Sequence, residues 1–190
     1  MTPVTVPQNN LAHERRSALI TILLVMVALL LGWWVKTAVQ SATRAIEFSG
    51  YTAAVPGGWL VQEGAGDLIF IARNPQALDQ LYRLSQLPAA ADLAVAAENR
   101  NLARARLDNT FRVLEASPVV FAGQDAYKVS FARADVASPG LPNVIEGIDY
   151  YFAQDNQVMV LSLEANNEAF ANALPRFQNF VKSVTYNGGE

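Results

Sequence analysis

A chain of 190 residues with no cysteine and one histidine excludes a disulfide framework, thiolate metal centres and a lipidated cysteine. Its net charge of −3 is unevenly spread, with 10 Lys and Arg against 16 Asp and Glu from residue 45 onward, a net of −6. A phosphate backbone demands the opposite sign, so nucleic acid is not an expected partner.

The first 17 residues are polar and proline-spaced (Pro3, Pro7, Asn9, Asn10), as suits a cytoplasmic tail. Ala18 to Val35 then carry no charge, and only Thr21 and Gly32 interrupt a run of apolar side chains. At about 1.5 Å per residue this run matches the hydrocarbon thickness of a bilayer, predicting a transmembrane helix over 18–36. Arg15 and Arg16 mark one membrane interface, and Trp33, Trp34 and Lys36 the other. Basic residues near the ends number two on each side (Arg15, Arg16; Lys36, Arg44), so charge does not orient the span. The short polar tail and the tryptophan pair place the N-terminus in the cytoplasm and the rest outside. A cleaved signal is the alternative reading. However, the apolar run exceeds the usual 7–15 residues, and no clean A-x-A pair follows it.

Residues 37–47 read as a stem that extends the helix, and 48–187 as one extracytoplasmic domain. Tyr51 to Val55 is β-prone and meets a turn at Pro56-Gly57-Gly58 before Trp59-Leu60-Val61. Leu68 to Ile71 is continuously apolar, as in a strand covered on both faces, and Asn74-Pro75 stops it. Leu81 to Leu87 is a third strand, broken at Pro88. Ala89 to Asn109 is alanine-rich and lacks Gly and Pro, which predicts a helix. Asp92 lies near its start and Arg100, Arg104 and Arg106 toward its end, where the dipole favours each sign. Arg104 and Asp108 are spaced as an i,i+4 ion pair.

Phe111 to Phe121 reads as a strand broken at Ser117-Pro118. Tyr127, Val129 and Phe131 alternate with polar residues, as do Ile148, Tyr150 and Phe152 with Asp149 and Tyr151, predicting half-buried strands. Asp155-Asn156 is a two-residue hairpin turn into the apolar strand Val158 to Leu163. Phe170, Leu174, Phe177, Val181 and Val184 form one apolar face of a closing helix that contains Pro175. Strands, helix, strands and helix in this order predict an α+β fold, an antiparallel sheet flanked by helices.

Four stretches resemble the superfamily of PsbP-like, Mog-like and DcrB-like domains. They are Tyr51 through Val55-Pro56 to Trp59, Pro118 to Tyr127 (PVVFAGQDAY), Tyr150 to Leu163, and Phe177-x-x-Phe180-x-x-Ser183-Val184. The resemblance covers about residues 46–186. It implies an αβα sandwich and a non-enzymatic binding or assembly role, as in photosynthetic accessory proteins, a small-GTPase partner and envelope lipoproteins. It brings no partner-binding residues across. This chain lacks the lipoproteins' cysteine, and its apolar helix would do the anchoring.

Chemistry is sparse. His13 precedes the anchor and cannot join a site beyond the membrane, so histidine catalysis and histidine metal centres are not expected in the domain. Glu146 and Asp149, with Asp135, are the acids to nominate for a cation or acid/base cluster, although solvated loop charges are the simpler reading. No cofactor, metal or enzymatic activity is expected. Arg100 and Arg104 share a helix face and form a candidate partner-binding stripe, with a solvated face as the alternative. Trp59 reads as core. The Pro/Gly loop 137–145 is the better binding candidate, offering Leu141, Val144 and Ile145. The expected function is thus a membrane-anchored protein-binding module, an accessory subunit of a larger complex. The alternative is a stand-alone envelope domain holding a small apolar ligand in a cavity lined by Phe152, Phe170 and Phe177.

Overall fold

The structure, a computed structural model, describes residues 9–135 and 142–187, the side chains of 9–15 and 37–41 excepted. The chain divides into two compact units, Met1–Ala42 and Thr43–Glu190.

The first unit holds one helix, α1 (Asn9–Ser41). Its stretch Arg16–Lys36 is long and apolar enough to cross a membrane. Leucine, isoleucine, valine and tryptophan side chains from Leu19 to Val35 are exposed on every side. The Thr21 hydroxyl donates to the Ser17 carbonyl oxygen at 3.0 Å, so the polar group inside the run is satisfied by the helix itself.

The second unit begins earlier than the sequence suggests. The helix ends at Ser41, and the remainder of the expected stem is a strand, β1 (Thr43–Phe48), paired antiparallel with β2 (Tyr51–Pro56). The other elements are β3 (Leu60–Glu63), β4 (Leu68–Asn74), β5 (Ala77–Pro88), α2 (Leu93–Leu107), β6 (Arg112–Phe121), β7 (Gln124–Asp135), β8 (Asn143–Gln154), β9 (Gln157–Asn166), α3 (Asn167–Ser183) and β10 (Thr185–Tyr186). Strands β3-β4-β5-β9-β8-β7-β6 form a seven-stranded antiparallel sheet, and β1-β2-β10 form a smaller one. The turn at Pro56-Gly57-Gly58 therefore carries the chain between sheets, where the sequence suggests a continuation.

Local chemistry explains the boundaries. Asp92 caps α2 by accepting from the Val95 N–H at 2.8 Å, and Asn166 caps α3 by accepting from the Glu168 N–H at 2.9 Å. Asp155-Asn156 joins β8 to β9 as the sequence predicts, with Asp155 at φ 48°. Ala122 and Gly123 both take positive φ between β6 and β7, the backbone a tight hairpin requires. Strand β6 runs unbroken through Pro118, because β6 is a sheet edge and the missing N–H costs no ladder bond.

Both faces of the central strands are covered. Leu161, Leu163, Ile148, Tyr150 and Phe152 pack with β2 and α3, while Val158, Val160, Val129 and Tyr151 pack with α2. Tyr151 and Asp149, read from the sequence as the wet side of a half-buried strand, are accordingly buried. The core against α3 is aromatic. Phe177 stands with its ring centroid 5.2 Å from Tyr82, 5.9 Å from Phe180 and 6.2 Å from Tyr150. Where the alternative reading puts a cavity lined by Phe152, Phe170 and Phe177, Phe152 and Phe177 belong to this packed cluster with Phe170 against it, and the Trp59 ring joins it 4.5 Å from Tyr82.

Phe177→Ala should lower the stability of the detergent-solubilised chain by about 3–5 kcal/mol, read by urea unfolding. Leu107→Ala, at a side chain 91% exposed, should change it by less than about 0.5 kcal/mol.

Candidate functional site

The α2 side of the sheet carries the polar chemistry. Alternation along β8, β9, β5 and β7 turns Asp149, Glu164, Arg83 and Arg133 to that side. Asp149 is fully buried and paired with Arg104 of α2, Nη1 to Oδ2 at 2.5 Å. The Tyr151 hydroxyl donates to the same oxygen at 3.2 Å. The Arg104 guanidinium also lies 4.8 Å from the Phe131 ring centroid and 5.7 Å from that of Phe111. Phe131 packs over Gly147 on the neighbouring strand, where an added Cβ would stand 2.1 Å from ring atom Cζ. Only glycine leaves the ring room to lie beneath Arg104. Glu164, also buried, is held by Arg83 on one oxygen and by Arg133 on the other at 2.9 Å.

Burial alone pushes the Asp149 carboxyl up, but the charges of Arg104 and Arg100 more than offset this and hold it below the usual carboxylate range. Burial, and then repulsion from Arg104, pull Arg100 down; its Nη2 donates to Ser85 Oγ at 3.4 Å. Asp149 is thus held ionised by arginine, which suits cohesion better than proton transfer.

An open groove of about 460 Å3 lies beside this network, between α2 and the edge strand β6. Ala94, Leu102 and Ala105 form its helix wall, and Val113 and Ala116 its strand wall. Glu98 stands at the rim, and Asn101 presents a buried Oδ1 that has no hydrogen-bond partner. Val95, Leu102, Val113, Leu114 and Val120 are all exposed along α2 and β6.

The structure rearranges the residues nominated from sequence. Arg100 and Arg104 do share one helix face, but it is turned against the sheet, while Arg106 is exposed. Arg104 pairs with Asp149 and not with Asp108, whose carboxylate accepts from the Thr110 N–H at 2.8 Å and its hydroxyl at 2.6 Å. Leu141 lies outside the described residues. Val144 is exposed near the start of β8, whereas Ile145 turns inward and is 1% exposed, so the two alternate across a strand and do not share a loop surface. Glu146 and Asp149 fall on opposite faces of β8, and Asp135 ends β7. They form no cluster, and among the described residues no three metal-donor side chains come together. Arg16, Trp33, Trp34 and Lys36 are exposed on α1, and the side chains of Arg15 and His13 lie outside the description. The groove is not legible in the sequence because its walls come from two elements, α2 and β6. Its strand wall leaves only Val113 and Ala116 as a trace in the sequence.

Breaking the ion pair should be costly. Asp149→Asn leaves Arg104 half-buried without its counter-charge and should cost about 3–5 kcal/mol at pH 7 in urea unfolding, whereas replacing both partners, Arg104→Met with Asp149→Leu, should recover most of that. Because its folded pKa lies below the unfolded value of about 3.9, Asp149 adds stability that is present above that pH and lost as pH falls through the folded value. The remaining stability of Asp149→Asn should therefore fall less steeply than the wild type's below about pH 4.

No protein-family model matches the chain, and no curated protein matches it significantly in sequence. Solved structures do match. Cyanobacterial PsbP (CyanoP) from Synechocystis superposes with a TM-score of 0.58 at 9% identity, over 77% of this chain and 93% of that one. The Ran-binding protein Mog1p of Saccharomyces cerevisiae gives 0.53 at 12% identity, over 76% and 95%. A Bacteroides thetaiotaomicron protein gives 0.52 at 13%, over 78% of this chain but 49% of that one. At such identities the likeness is one of fold, and the domain from Thr43 onward has the PsbP/Mog1-like fold, an antiparallel sheet between helices.

Proposed function

We propose that this chain is a single-pass membrane protein with a retained N-terminal helix, residues 1–17 in the cytoplasm and the domain outside. The domain binds a protein partner and acts as an accessory or assembly subunit of a larger membrane complex. The observation that carries this reading is α1, apolar on every face and exposed along Arg16–Lys36, followed at once by a domain with an apolar groove at an open sheet edge. Anchoring confines the domain to two dimensions and raises its effective concentration near membrane partners, so that a modest contact suffices. The Ran-binding description of Mog1p supports protein recognition on this fold. The arginine-held carboxylates support a binding role over an enzymatic one.

The alternative of a small apolar ligand moves to the other face of the sheet. The space under α3 is filled by aromatic rings, whereas the α2/β6 groove has the volume of a ligand site. Extraction in mild detergent followed by a native gel separates the two readings. A subunit migrates far above 20.6 kDa, whereas a stand-alone ligand-binding domain runs as a monomer. A C-terminal reporter active only outside the cytoplasm is the expected topology result, and one active only inside contradicts it.

A further inference from the structure

Strand β6 is ten residues long and pairs only with β7, so its outer backbone groups face no other strand among the described residues. The opposite edge strand, β3, has four residues. Long apolar edges are pairing sites unless they are blunted. On β6 the blunting is local: a register shift between Val113 and Glu115, and Pro118, which has no N–H to give. Before Pro118, the stretch Arg112–Ser117, which contains that register shift, runs alongside the groove through Arg112, Val113 and Ala116.

Three observations describe what would lie there. Pairing with β6 points alternate side chains of an added strand toward α2, where Leu102 (50% exposed) and Val113 (44%) offer apolar walls. Asn101 Oδ1, buried and unpaired at the wall, needs a donor. Glu98 is exposed at the rim, and Arg112 on the strand side keeps its charge, with Nη1 turned back onto the carbonyl oxygens of Asn109 and Phe111, each at 2.7 Å. With a net of −6 from residue 45 onward, a basic segment is attracted and a second copy repelled.

We propose that the α2/β6 groove docks an extended, basic and apolar segment of a partner protein. The segment adds to the β6 edge along Arg112–Ser117, seats one bulky aliphatic side chain against Leu102 and Val113, and places a lysine or arginine near Glu98. This rests on the protein-binding reading above and names its site and partner chemistry.

The test uses the full chain in nanodiscs to select from a phage-displayed heptapeptide library, with empty nanodiscs as the counter-selection. Enriched peptides should carry Leu, Ile or Val beside Lys or Arg. Synthetic copies should bind Leu102→Lys and Ala105→Trp at least about tenfold more weakly, as expected for a central anchor. Both positions are exposed, so thermal unfolding of these variants should match the wild type. Backbone N-methylation should abolish binding at alternate peptide positions only, the signature of strand addition. Absence of enrichment, unchanged affinity for both variants, indifference to N-methylation, or self-association of the chain through β6 would each overturn the proposal. A native-gel complex that survives Ala105→Trp would reject this groove while leaving the module reading intact. A wild-type chain that forms no complex would reject that reading itself.

Discussion

Between Leu19 and Val35, helix α1 carries leucine, isoleucine, valine and tryptophan on all sides, a surface that is costly to leave in water. Fourteen large apolar side chains between Leu19 and Val35 are exposed, and burying each is worth about 1.5–3 kcal/mol, some 20–40 kcal/mol together. That exceeds the whole stability of an ordinary domain, about 5–15 kcal/mol. A bilayer would supply that burial, with the backbone hydrogen bonds of the helix closed within the segment.

The domain after Thr43 resolves a different constraint. A seven-stranded sheet with apolar residues on both faces needs two covers, and these differ in chemistry. On one face, α3 and the small sheet close over a cluster of packed aromatic rings. On the other, α2 is too short to cover all the strands. At its C-terminal end the gap is bridged by Arg104 on Asp149, and by Arg83 and Arg133 on Glu164. Toward β6 nothing in the described chain closes the gap, and the groove remains. Such ion pairs add little net stability over an apolar core, but a single partner is expensive to lose, so the Arg104–Asp149 pair ties α2 to β8 while the Glu164 pairs tie β9 to β5 and β7.

What the sequence revealed follows the range of the forces. Local signals read correctly. Alanine content places α2, although the helix starts at Leu93, after its cap Asp92, and not at Ala89; the Asp155-Asn156 turn places β8 and β9, and the 4-3-4-3 spacing around Phe177 places α3. Long-range placement did not read. Thr43–Phe48 looks like a stem because its partner β2 is recognised only in three dimensions. Asp149 looks solvated because alternation on β8 does not say that α2 covers its far face. Pro118 looks like a break because edge position is a property of the sheet. Ile145 looks like loop for want of a boundary signal at Asn143. The residues that carry the resemblance are turn and core residues, which is why they point to fold and leave the partner unnamed.

Everything proposed for the domain depends on α1 remaining part of the working protein, and washing cell membranes with alkaline carbonate followed by intact mass measurement tests that directly. The expected chain stays in the membrane pellet and has a mass that includes residues 18–36. A chain released into the wash, with a mass that begins after the apolar run, would contradict it.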